Sequence, residues 1–180
     1  YDPAENPEQR PQEILQETIE KILDKIEESH RPVLSPGNGV RLAGAIREFH
    51  ELVDVLGVPV VTGMSSVDAL ESDHPYFVGR SGGTGTRPGN FALQNSDVLL
   101  SIGNRQGFTQ TGFQYQDWAR ESYTILNDID ENELKKPNLH VSLPVVGDAG
   151  ELIRGLLAEA KKRGADKGYP LFKGEDCRKQ

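Results

Sequence analysis

Short apolar segments alternate along this chain with longer segments in which apolar residues recur every three or four positions. The short segments have the length of strands, and the longer ones have the period of helices that pack on one face. Apolar strands separated by such helices are typical of a parallel sheet that is covered on both sides. The apolar segments lie within residues 31–36, 58–62, 76–78, 98–102, 123–127 and 140–146. Right-handed crossovers then predict an α/β, doubly wound, Rossmann-like fold with about six parallel strands.

The longer segments predict four main helices, which begin at Glu13, at Val40, near Thr86 and near Ala149, and a short helix at residues 66–70. The second is predicted to run without a break to Leu56, where Gly57 ends it. One apolar stripe of the first helix consists of Leu15, Ile19, Ile22 and Ile26, and that of the second consists of Leu42, Ile46, Phe49, Val53 and Leu56.

The length of 180 residues suits one domain with its own core. Residues 1–12 are rich in Pro, Glu, Asn and Gln, which predicts a linker. We expect the domain itself to span residues 13–163. Residues 164–180 are predicted to form a linker toward a C-terminal domain that this chain lacks.

Composition argues against several classes of protein. The net charge of −8 disfavours a nucleic-acid-binding surface, and no apolar run reaches the roughly 20 residues that span a bilayer. The single cysteine, Cys177, permits no internal disulfide and no zinc cluster, which fits a cytoplasmic location. The four histidines share no metal-ligand spacing, and no Ser-His-Asp pattern is present.

Glycine-rich or polar loops follow several predicted strands, at the edge where doubly wound folds bind ligands. Gly37-Asn38-Gly39 follows the first strand, and Thr62-Gly63-Met64 follows the second. The two glycines of the first loop permit either a tight turn or a close approach to a diphosphate, which the amides of the next helix would also bind. A NAD-type fingerprint is incomplete, because Leu42 stands at the third glycine and the second strand ends without Asp or Glu.

Two charged positions at this edge each have two interpretations, and a third favours one. Arg105 can bind phosphate oxygens or form a surface salt bridge. Asp128, with Asp130, can accept hydrogen bonds from ribose hydroxyls or cap a turn. Asp148 precedes a helix with Glu151 three positions later, a pattern that favours helix capping.

Ten segments of the chain, in order, carry a family resemblance: residues 31–39, 57–62, 73–75, 78–80, 90–97, 99–105, 110–112, 128–130, 133–137 and 147–149. Together they resemble the central domain of thiamine-diphosphate enzymes of the acetolactate synthase type, over roughly residues 31 to 157. In that family the central domain binds FAD, another nucleotide or nothing. The retained Gly103-x-Arg105 favours a nucleotide, whereas Gly107 stands where the flavin enzymes tend to carry an acidic residue.

The resemblance implies a set of cofactor-binding residues at the strand ends. They are Gly37, Asn38, Gly39, Thr62, Gly63, Met64, Gly79, Arg80, Ser81, Gly82, Gly103, Arg105, Asp128, Gly147 and Asp148.

The resemblance also implies that a parent enzyme decarboxylates a 2-keto acid and transfers the carbanion to an acceptor. Its thiamine diphosphate and magnesium would be bound by flanking domains, and the parent would form a homo-oligomer, a dimer or tetramer. Gly147-Asp148-Ala149 only approaches the family's magnesium-binding Gly-Asp-Gly, and no paired asparagines follow. We therefore expect no catalytic residues and no activity in this chain alone. A structural and assembly domain with an empty crevice, or an independent nucleotide-dependent enzyme, are the alternatives.

Overall fold

The structure, a computed structural model, describes residues 13–172 and contains one sheet of six strands. The strands are β1 (Pro32–Pro36), β2 (Val60–Thr62), β3 (Phe77–Arg80), β4 (Val98–Ile102), β5 (Tyr123–Asp128) and β6 (Leu143–Val146). All neighbours pair in parallel, in the order β3-β2-β1-β4-β5-β6. This is the Rossmann strand order, so the predicted doubly wound parallel sheet is confirmed.

Seven helices connect or flank these strands within the described residues. They are α1 (Gln16–Glu28), α2 (Gly39–Leu42), α3 (Ile46–Leu56), α4 (Arg87–Gln94), α5 (Phe108–Thr111), α6 (Glu131–Leu134) and α7 (Ala149–Lys162). Short 3₁₀ turns lie at Met64–Ser66 and Tyr115–Asp117. The first of these turns takes the place of the short helix predicted at 66–70.

Period-two alternation divides the core between the two faces of the sheet. In β4, Val98, Leu100 and Ile102 belong to the larger cluster, which packs under α1, α3 and α7. Leu99 points the other way, into a smaller cluster with Leu93 of α4 and with Trp118. Successive side chains of a strand face opposite sides, so a strand covered on both sides is apolar throughout. The sheet therefore forms the middle layer of three.

The prediction of one helix from Val40 to Leu56 is wrong. Helix α2 ends at Leu42, Gly44 adopts a left-handed conformation with φ of +66°, and α3 starts afresh at Ile46. Leu42, assigned to the apolar face, is 81% exposed, whereas Val40 of the same short helix is buried in the core. The break at Gly44 separates α2 from the apolar stripe of α3. Phe49 and Leu56 are fully buried as expected.

Residues after α7 continue to pack on the domain. The Leu171 amide donates to the Val55 carbonyl oxygen at 2.8 Å, and the Phe172 amide to that of Leu56 at 2.9 Å. Both side chains are buried. The packed domain therefore extends past residue 163 to Phe172. The linker predicted for residues 1–12 lies outside the described residues, as do the last eight positions, which include Cys177.

Candidate functional site

The strand order reverses between β1 and β4, and a cleft opens at the carboxyl ends of the strands there. The chain leaves β1 toward β2 and β3 on one side, and leaves β4 toward β5 and β6 on the other. Such reversal points are where open α/β sheets bind ligands. The cleft has a volume of about 700 Å³, within the range of about 300–1,000 Å³ typical of small-molecule and cofactor sites.

Seven of the fifteen predicted binding residues line this cleft. They come from the loops after β1, β4, β5 and β6: Asn38, Gly39, Gly103, Arg105, Asp128, Gly147 and Asp148. They lie far apart in the sequence and meet because parallel strands end at one edge. Gly37 lies immediately behind this wall, where a Cβ atom would overlap the Gly103 carbonyl oxygen and the Asn104 Cα atom.

The loops after β1 and β4 are bonded directly to each other. The Gly37 amide donates to the Ile102 carbonyl oxygen at 2.8 Å, and the Gly39 amide to the Gly103 carbonyl oxygen at 2.9 Å. The Val40 amide donates to the Gly37 carbonyl oxygen at 3.3 Å. These are the amides that the sequence suggested for a diphosphate. Those of Gly37 and Gly39 hold the two loops together, and that of Val40 closes a turn within the first loop. The glycines serve close backbone packing, since a Cβ on Gly39 would lie 2.7 Å from the Gly103 Cα atom.

The other predicted residues form a second group beyond the cleft. They lie at the ends of β2 and β3 and in the loops that follow, and none of them lines the cleft: Thr62, Gly63, Met64, Gly79, Arg80, Ser81 and Gly82. The segment 103–112 crosses between the two groups. Its Gln110 side chain donates to the Ser81 hydroxyl at 3.3 Å and lies against Gly63, and the Thr109 carbonyl accepts from the Gly83 amide at 3.0 Å. Gln110 and Thr109 also line the cleft.

Arg105 forms an ion pair across the rim of the cleft. Its guanidinium donates to the Glu133 carboxylate at 2.9 Å, while 76% of the Arg105 side chain remains exposed. Lys136 pairs with the same carboxylate, and its ammonium also donates to the Arg105 carbonyl oxygen at 3.3 Å. Burial opposes the ionisation of Glu133, but the hydrogen bonds from Lys136 and Arg105 outweigh it and lower the pKa of this carboxyl. Glu133 is therefore ionised and doubly paired at neutral pH.

Asp128 sits deeper, with one carboxylate oxygen accepting from the Asp130 amide at 3.0 Å. Burial raises the pKa of Asp128, the backbone hydrogen bond from Asp130 acts in the opposite direction, and the charges of Glu133 and Asp130 raise it further. An environment that disfavours a bare carboxylate favours hydrogen-bond donors around it. Asp130 instead caps α6, accepting from the Asn132 amide at 2.9 Å.

Asp148 has the capping role that its spacing favoured. One of its carboxylate oxygens accepts from the Gly150 amide at 2.9 Å and from the Glu151 amide at 3.0 Å, at the start of α7. Those two amides are satisfied by the protein itself. Asp148 thus lines the cleft and also holds the helix that closes one side of it.

Three buried polar residues of this site are absent from the binding set that the sequence predicts. Asn104 donates to the Ser35 hydroxyl at 3.3 Å, and Gln106 donates to the Ser101 hydroxyl at 2.8 Å. Asn127 joins the loops after β4 and β6. A signal was present: Ser35, Ser101 and Asn127 interrupt otherwise apolar strands near their carboxyl ends. Buried polar groups need partners, and such interruptions mark where a strand meets a polar loop.

The family model described as "Thiamine pyrophosphate enzyme, central domain" matches residues 19–156. The match covers all six strands and most of α7. The chain belongs to this family. The resemblance found in the sequence is thereby confirmed, and the cleft described above lies at the reversal point of a thiamine pyrophosphate enzyme central domain.

Relatives of this central domain are named acetolactate synthase large subunits. The chain is 38% identical over 133 residues to a probable acetolactate synthase large subunit of Methanocaldococcus jannaschii, covering 74% of the chain and 22% of the relative. The corresponding protein of Methanococcus aeolicus is 37% identical over 134 residues, with the same coverage. The isozyme 2 large subunit of Escherichia coli is 32% identical over 132 residues, covering 73% of the chain and 24% of the relative. The chain thus spans roughly a fifth to a quarter of these relatives' length.

The central domain offers no cluster of metal ligands in the part that the structure describes. Among residues 13–172, His, Cys, Asp and Glu side chains nowhere form a group of three that could hold a metal ion. Within the same range, each helix is too short or too polar to cross a membrane.

Proposed function

We propose that this chain acts as the central domain of a thiamine-diphosphate-dependent enzyme that decarboxylates a 2-keto acid and joins the resulting carbanion to an acceptor. The family match and the acetolactate synthase names of its relatives support the proposal. Thiamine diphosphate and magnesium are bound by flanking domains in this proposal, and the parent is a cytoplasmic homo-oligomer, a dimer or tetramer. The central domain contributes the scaffold and a nucleotide site.

The observation that carries the nucleotide site is the convergence of four loops on one cleft at the reversal point. The chemistry of its walls suits the ADP part of FAD. Arg105 presents an exposed cation on the rim for diphosphate oxygens. Asp128 offers a half-buried acceptor for ribose hydroxyls. These residues would hold the ADP part of FAD in the cleft, and the flavin would have no net redox role in the parent reaction.

A second function, that of scaffold with an empty crevice, is favoured by a different observation. The Gly37, Gly39 and Val40 amides are already bonded to carbonyl oxygens, so a diphosphate gains no hydrogen bond from them. A nucleotide at this site would depend on side chains and on the remaining loop amides. Substitution of Arg105 therefore tests whether nucleotide binding in the cleft depends on this side chain.

Isothermal titration calorimetry of the chain with FAD and with ADP tests the proposal. A hydrogen bond to a charged group is worth about 1.5–3 kcal/mol, so Arg105→Ala should weaken binding about tenfold or more. Arg120→Ala is the matched control, because Arg120 is an exposed arginine paired only with Asp117 and Glu121, and it does not line the cleft. Loss of affinity in the first variant alone supports the nucleotide site. Equal binding by all three proteins rejects the role given to Arg105. No binding by any of them supports the empty scaffold.

A further inference from the structure

We infer that Glu133 sets the nucleotide affinity of the cleft by competing with the ligand for Arg105. The inference rests on the proposed nucleotide site and assigns a role to a residue outside the family-derived binding set. The guanidinium that would bind phosphate oxygens is held at 2.9 Å by the Glu133 carboxylate. A nucleotide must therefore replace this carboxylate as the partner of Arg105.

The exchange is feasible because the two partners differ in exposure. The Arg105 side chain is mostly exposed and lines the cleft, whereas only 15% of the Glu133 side chain is exposed. Glu133 is anchored on the short helix α6, and Arg105 follows β4 in a loop. The exposed guanidinium can turn from the carboxylate to a phosphate by a change of side-chain rotamer, since each group presents two oxygen acceptors that match the same guanidinium fork.

Glu133 does not become an unpaired charge when Arg105 leaves it. Lys136 lies three residues further along and pairs with the same carboxylate. Removing one partner from a singly paired, largely buried carboxylate would be costly, because the remaining charge would lose its compensation. Here the second cation remains, so the cost of releasing Arg105 is small. The doubly paired carboxylate thus acts as a weak competitor that holds Arg105 beside the cleft while it is empty.

Replacement of Glu133 by glutamine tests this role, because glutamine keeps the shape and removes the charge. Partly exposed ion pairs contribute little, so Glu133→Gln should bind ADP about two- to fivefold more tightly than the unmodified chain. Glu131→Gln is the matched control. It removes the same charge two residues away on α6, from an exposed pair with Lys135 at 2.7 Å. It should leave the ADP affinity nearly unchanged.

Lys136→Met tests the same competition in the opposite direction. Without Lys136, Glu133 retains only Arg105, so the carboxylate should hold it more firmly and ADP should bind more weakly. Lys135→Met removes the same charge from the neighbouring position and should have a smaller effect. The two pairs of variants together distinguish a specific competition from a general change in charge near the cleft.

The double variant Arg105→Ala/Glu133→Gln completes the calorimetric series with ADP. Its ADP affinity should equal that of Arg105→Ala, because without Arg105 the Glu133 carboxylate no longer competes with the ligand for a guanidinium. If Arg105→Ala weakens binding but Glu133→Gln and Glu131→Gln have equal affinities, the nucleotide site stands and the competition is refuted. A double variant that binds as tightly as Glu133→Gln also refutes it, since Lys136 would then provide the gain. If Arg105→Ala has no effect on ADP binding, the competition for Arg105 is refuted and the nucleotide is bound by other residues. If no protein binds ADP, the nucleotide site and the competition are both refuted.

Discussion

The Asn127 side chain donates to the Gly147 carbonyl oxygen at 3.0 Å, and so ties the end of β5 to the loop after β6. The same amide nitrogen donates to the Val145 carbonyl oxygen at 3.1 Å, and the side-chain oxygen accepts from the Gly103 amide at 3.2 Å. One buried asparagine thus positions two loops of the cleft. Side-chain hydrogen bonds therefore position these loops, in addition to the backbone hydrogen bonds between the strands.

We expect Asn127→Ala to destabilise the domain measurably. The substitution leaves buried carbonyl groups without a donor, a loss of about 1–3 kcal/mol in the free energy of unfolding. Urea denaturation followed by circular dichroism measures this difference. Asn132→Ala is the control, because Asn132 is exposed and its side chain bonds only to Asp130. A loss no larger in Asn127→Ala than in the control would contradict the role of Asn127.

Gly37→Ala should destabilise the domain more than Gly107→Ala. A Cβ on Gly37 would overlap backbone atoms of Gly103 and Asn104, which cannot move without separating the loops after β1 and β4. Overpacking of this kind costs about 1–3 kcal/mol. A Cβ on Gly107 meets no atom within 4 Å, and its φ of −71° suits any residue. Denaturation midpoints that shift equally in the two variants would show that the close approach at Gly37 is unimportant.

Asp128→Asn should stabilise the domain at neutral pH, and the gain should shrink in acid. Burial, chiefly, raises the pKa of Asp128 in the folded state. The pKa of Asp in an unfolded chain is about 3.9. The contribution of Asp128 to folding stability is therefore complete below that pH and is lost as pH rises through the folded pKa. Asparagine removes the cost of burying an ionised carboxylate at neutral pH, and its side-chain oxygen can still accept a hydrogen bond from the Asp130 amide. The measurement is the difference in unfolding free energy between the variant and the unmodified chain, taken from pH 3 to pH 7 so that it spans the titration of Asp128. A difference that does not vary with pH would show that Asp128 titrates alike in both states.

Asp148→Ala should weaken α7 by about 0.5–2 kcal/mol, since the carboxylate caps two amides at the start of that helix. Asp148→Asn retains an oxygen acceptor and should lose less. Thermal unfolding of the two variants checks this order. If asparagine were as damaging as alanine, the negative charge near the helix N-terminus would matter more than the hydrogen bonds.

Several features of this protein are determined by local sequence. The limits predicted for β4 (Val98–Ile102) and the start predicted for α7 at Ala149 coincide with those in the structure, and the doubly wound parallel sheet is confirmed. Asp148 likewise caps α7 as its spacing with Glu151 favoured. Strand and helix limits depend on side-chain periodicity and on neighbouring caps, which act over a few residues and are visible in the sequence.

Other features were decided only by the tertiary structure. Gly44 breaks the predicted long helix between α2 and α3, although the periodic pattern runs through it. The amides of Gly37 and Gly39 bond to Ile102 and Gly103, and Arg105 pairs with Glu133, because crossovers bring loops distant in sequence to one edge of the sheet. A glycine loop signals that backbone can approach closely, but only the fold determines whether a ligand or another loop approaches it.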